Sequence, residues 1–206
     1  MKKILISLFV IVSMTSLQAN AFSWDWASVL KFWDRATEAQ TAEVQTTKTL
    51  ADIQNQMTTI DKSVQDAFVD IVSELSSWKE TRDIKSELKK NNTNFMNTIS
   101  NYTTKIANDR DNFIKKVNKL STKEKTALIN DIAVLSESTQ QYLLLATDGV
   151  KTATNTLKTT QKLSEFATTV SNINNTANQL KNRAATVINL ANQAKTIAQA
   201  AGLTVQ

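Results

Sequence analysis

The chain has 206 residues, 24 Lys and Arg against 19 Asp and Glu (net +5), no cysteine, histidine or proline, and two glycines. Without cysteine there is no disulfide framework and no thiolate nucleophile; without histidine the commonest metal ligand and neutral-pH base are missing. So few turn-forming residues argue against an all-β or doubly wound fold and leave long helices.

Residues 1–21 read as a cleaved export signal. Lys2 and Lys3 form a positive start, Ile4 to Met14 an apolar run too short to span a bilayer, and Ala19-Asn20-Ala21 a small-residue cleavage site. Cleavage leaves 22–206, expected to form a single elongated helical-bundle domain in the periplasm, the extracellular space or on the cell surface, without an integral membrane segment.

A first helix is predicted over about 24–76. Trp26, Leu30, Trp33, Ala36, Gln40, Val44, Thr47, Leu50, Ile53, Met57, Ile60, Val64, Ala67, Ile71, Leu75 and Trp78 are spaced almost throughout by three or four, which is one face of a helix. An unbroken rod of that length would extend ~80 Å. Trp26, Val29, Leu30 and Trp33 share the stripe and read as core. Trp24 and Phe32 project to other sides; they either pack on the middle helices or contact another subunit or the membrane interface.

Ser76-Ser77 and the polar stretch KKNNTN (89–94) bracket a short helix over 78–89. The helical period resumes over 94–120 through Phe95, Ile99, Tyr102, Ile106, Phe113, Val117 and Leu120. Ser121-Thr122-Lys123-Glu124 fits a capping box and starts a helix over 122–147, for which Asp148-Gly149 fits the stop. A last helix over 150–201 carries Phe166, Val170, Ile173, Ala177, Leu180, Ala184, Val187, Ala191, Ala194, Ala198 and Ala201, alternating four and three. The predicted fold class is therefore all-α, an elongated bundle of long antiparallel helices with a shorter helical appendage. Close backbone approach is expected along the alanine seam.

Charge is segmented. Residues 22–78 hold 4 basic and 9 acidic residues, 79–125 hold 12 and 6, and 126–206 hold 6 and 4. The acidic first helix is thus expected to attract the basic middle. The densest basic cluster, Lys115, Lys116, Lys119, Lys123 and Lys125, fits either a contact with an anionic surface or acidic partner, or a solvated tip at a helix end. Nucleic acid fits poorly, since no aromatic residues interleave the lysines. Asp66, Asp70 and Glu74 share a helical face, but a solvated acidic stripe explains them better than a metal site without histidine. No cofactor and no enzymatic activity are expected. After Glu165 the only charges are Lys181, Arg183 and Lys195, so the Thr/Asn/Gln face of the last helix is either plain polar surface or covered by another chain.

The long Trp- and Gln-bearing first helix (WASVLKFWDRATEAQTAEVQTTKTLADIQNQM), the middle insertion and the long terminal helix behind an export signal resemble the minor-pilin family of type IV secretion and conjugation systems. That resemblance is one of architecture and composition. It implies an elongated helical bundle at a pilus tip, with secretion-apparatus subunits or a cell-surface protein as partners, and it transfers no functional residue. An exported adhesin or envelope scaffold is the alternative. A helical pore-forming toxin is a weaker one, because no apolar hairpin stands out.

Overall fold

The computed structural model describes residues 49–90, 95–159 and 163–205, all within one compact unit, Thr47–Gln206. These residues are 92% helical with no strand, so the all-α bundle predicted from composition is what forms. In chain order the helices are α1 (Leu50–Leu75), α2 (Trp78–Lys90), α3 (Phe95–Asn108), α4 (Arg110–Lys119), α5 (Thr122–Thr159) and α6 (Leu163–Ala200). Residues 1–48, and with them the predicted export signal, Trp24, Phe32 and the predicted aromatic stripe, lie outside the described residues.

The rod expected over 24–76 does not run through residue 49. Thr49 is extended (φ −77°, ψ 163°), and a capping box closes around it. The Thr49 amide and hydroxyl donate to Asp52 Oδ2 (2.9 and 2.7 Å), while the Asp52 amide donates to Thr49 Oγ1 (3.1 Å). Two orphan amides of the first turn are thereby satisfied, so a new helix starts here, ~39 Å long. From Ile53 the predicted seam is buried through Ile60, Val64, Ala67, Ile71 and Leu75. It ends there: Trp78, placed on the same seam by spacing, is 76% exposed. The Ser76 cap is extended (φ −122°, ψ 169°), which resets the helical phase before α2.

Two further boundaries differ from expectation. The helix predicted over 94–120 breaks at Asp109 (φ −127°, ψ 41°) into α3 and α4. Asn112 Nδ2 donates to Asp109 Oδ2 (3.0 Å), a local bond that competes with helix continuation. The stop read at Asp148-Gly149 does not operate: α5 continues to Thr159, and Gly149 lacks a positive φ. The other glycine performs that role. Gly202 (φ +83°) ends α6, with its amide donating to Gln199 O (2.9 Å) and the Leu203 amide to Ala198 O (3.0 Å), the paired bonds of a Schellman motif. Consequently residues 150–159 belong to α5, not to the last helix.

Long helices α5 and α6, 38 residues each, form an antiparallel pair, ~57 Å per helix. A Cβ at Gly149 would lie 3.9 Å from Ala177 Cβ, so small residues bring these backbones close, as the alanine seam predicts. Helix α1 packs mainly on α5, while α3 and α4 pack mainly on α6. Two T-shaped ring pairs, Phe68–Tyr102 (5.6 Å) and Tyr102–Phe113 (6.0 Å), tie α1 to α3 and α4. Each adds about 0.5–1.5 kcal/mol beyond burial. Buried threonines fit this apolar interior by bonding back one turn: Thr103 to Ile99 O (2.8 Å) and Thr139 to Leu135 O (2.9 Å). Neither hydroxyl is left unsatisfied, which is how a Thr-rich chain fills a core.

Candidate functional site

The predicted basic cluster sits where α4 ends and α5 begins. Ser121 and Glu124 form the predicted capping box: the Ser121 amide and hydroxyl donate to Glu124 Oε2 (2.7 and 2.6 Å), and the Glu124 amide donates to Ser121 Oγ (3.3 Å). These Ser121 hydrogen bonds hold the Glu124 carboxyl below its usual range. The box fixes the turn that sets the lysines around one junction. Lys115, Lys119 and Lys123 are exposed, and Lys125 is half-buried.

Lys116 is different from the other four. Its Nζ donates to the carbonyl of Leu75 at the end of α1 (2.7 Å) and stands 4.7 Å from the Phe113 ring centroid. A cation there satisfies a terminal carbonyl and faces the negative end of the α1 dipole. Its role is to fasten α4 onto α1, and the basic surface is correspondingly reduced to its neighbours. The acid-to-base attraction expected between the first helix and the middle is met here by a backbone carbonyl. Asp61 of α1 instead finds its cation on α6.

That pairing is the principal polar structure of the interior. Arg183 donates to Asp61 through Nε (2.9 Å to Oδ1) and Nη2 (3.2 Å to Oδ2), while Tyr142 donates its hydroxyl to Asp61 Oδ1 (2.6 Å). The Arg183 and Asp61 side chains are 19% and 15% exposed, enough burial to strengthen the pair and to make an unpaired member costly. Arg183 also lies 5.9 Å from the Phe95 ring centroid. One carboxylate thus registers α1, α5 and α6, and its arginine reaches α3. Burial, then the Asp61 hydrogen bond, raises the Tyr142 hydroxyl well above its usual range.

A second acidic group lies where α1 packs on α5. Glu74 Oε2 is buried without a hydrogen-bond partner. Burial, then the charges of Asp131, Asp70 and Glu124, pushes Glu74 up to about 7. Burial, then Asp70, pushes Asp131 up to about 6. Glu74 therefore titrates near neutral pH instead of in the usual carboxylate range. Of the predicted acidic stripe, Asp66 and Asp70 are exposed, and among the described residues no three acidic side chains are grouped to hold a metal.

Sequence reading missed Trp78 as a surface residue. Its ring lies 4.9 Å from the Arg82 guanidinium on the next turn of α2. Ser76-Ser77 was the available signal, because a helix break cancels any phase carried across it. On α6, Asn172, Asn175, Asn178, Gln179 and Asn182 are exposed as an uncharged polar surface in this chain. Among the described residues no helix is long and apolar enough to cross a membrane. No protein-family model, curated protein or solved structure matches the chain.

Proposed function

We propose that this chain is an exported, non-enzymatic structural and interaction protein, a minor pilus subunit or assembly factor of a type IV secretion system. The observation that supports this most is the long α5–α6 pair carrying a shorter α2–α4 appendage. This is the architecture that the family resemblance implies. Asp61, Tyr142, Arg183 and Lys116 are occupied in holding helices together. What remains for a protein partner is surface, including exposed Lys115, Lys119 and Lys123 at the α4–α5 junction and the uncharged polar face of α6.

Pili sheared from producing cells test the reading. The protein is expected in the pilus fraction with other secretion subunits; recovery only as a free monomer in the medium contradicts it. An exported adhesin or envelope scaffold unconnected with secretion would instead keep its cell association when the apparatus is deleted.

A further inference from the structure

We propose that one flank of α2, formed by Trp78, Arg82, Lys85 and Lys89, is a contact site for an anionic lipid bilayer. At ~100° per residue, those four positions fall within a strip about 60° wide. All four side chains are exposed.

The same helix sorts its acids to the opposite flank. Glu80 takes the Lys105 ammonium as ion-pair partner, and Glu87 accepts from Thr98 Oγ1 (3.2 Å), both on α3. Asp83 stays exposed, 3.5 Å from Arg82, and turns away from the strip by ~100°. Between the flanks, Thr81 and Leu88 are buried against the bundle. Thr81 Oγ1 donates to Ser77 O (3.1 Å) and lies 3.4 Å from Val72 O. The helix is therefore held in place before any ligand arrives, and binding carries little ordering cost.

Chemistry selects a bilayer over a protein or a soluble polyanion. A single tryptophan among cations is too small an apolar patch for the dry centre of a protein interface. An indole at headgroup depth, with lysine and arginine beside it for the phosphates, is the arrangement that bilayer interfaces favour. The bond from Lys116 Nζ to Leu75 O sets the end of α4 beside the turn that leads into Trp78. Exposed Lys115 and Lys119 thereby strengthen the positive field at that end of the bundle.

This inference goes beyond the secretion reading, and its test needs no secretion apparatus, so the two can fail separately. Full chain purified from the envelope of producing cells is sedimented with vesicles of phosphatidylcholine plus phosphatidylglycerol, or of phosphatidylcholine alone. Binding is expected to favour the anionic vesicles, to fall with added salt, and to shift tryptophan fluorescence to the blue by an amount that shrinks in Trp78→Phe. Each of Arg82→Gln, Lys85→Gln and Lys89→Gln should weaken it about fivefold. The triple variant should lose the preference between vesicle types while melting like the parent; Trp78→Ala provides an independent second loss. Equal binding to both vesicle types, or anionic binding unchanged in the folded triple variant, overturns the proposal. So does retention on a soluble polyanion without vesicle binding, which would assign the flank to a polymer.

Discussion

Asp61 accepts from both Tyr142 and Arg183, so removing its carboxylate leaves a guanidinium and a phenol without their partner at a site mostly closed to water. Asp61→Ala is expected to cost about 2 kcal/mol in chemical denaturation, and Tyr142→Phe about 1 kcal/mol. A double-mutant cycle with Arg183→Ala should show coupling between the two positions. The two glycines should respond with opposite signs. In α5, a methyl at Gly149 meets Ala177 Cβ and Ile53 Cδ1 at 3.9 Å, an ordinary contact, so Gly149→Ala should stabilise by about 0.5–1 kcal/mol through helix propensity. At Gly202, φ is +83°, and Gly202→Ala should destabilise by about 1 kcal/mol. The glycines were visible in the sequence, but their roles were not, because Asp-Gly after an apolar run satisfies the same stop pattern wherever it falls. The Asp61 network was not legible either. Its members lie 81 and 122 residues apart, and no local pattern joins them.

Helix faces were legible and helix ends less so. Periodicity placed Ile53 to Leu75 and Ile173 to Ala198 in the core, because burial follows a 3.6-residue period whatever the partner. The period also ran straight over Thr49 and Asp109, where local side-chain bonds interrupt the helix, whereas the break at Ser76-Ser77 was legible. At Ser121 the capping motif is the usual one with glutamate; at Thr49 the shorter Asp52 does the same job outside that pattern. Thr49→Ala should cost about 1 kcal/mol. Between α1 and α5, the raised Glu74 and Asp131 carboxyls make stability depend on pH. Folded Glu74 titrates near 7 and unfolded Glu74 near 4.5, so between those values the folded state holds more protons. Asp131 acts in the same direction between 3.8 and about 6. Stability should therefore fall as pH rises from about 4.5 to 7 and then level off. Glu74→Gln should flatten that slope and raise the melting temperature at pH values above about 7. Glu124, held low by Ser121, works oppositely, its stabilising contribution being lost as pH falls below 4.5.

For the whole molecule, composition carried the fold class: in a chain with no proline and two glycines, the described residues form a helical bundle. The candidate surfaces were only partly legible. Of the five lysines singled out, Lys115, Lys119 and Lys123 are exposed, but Lys116 is occupied with the Leu75 carbonyl. Segmental charge does not reveal which cation a neighbouring helix end will take. Exposed Trp78 was hidden by a phase carried over a break, while Trp24 and Phe32 lie outside the described residues. The proposed role in secretion requires contacts between this bundle and protein neighbours. In-cell cross-linking followed by mass spectrometry of the trapped neighbours tests it most directly. Type IV secretion subunits joined to this chain are the predicted result; cross-links confined to proteins outside any secretion apparatus, in cells assembling one, would contradict it.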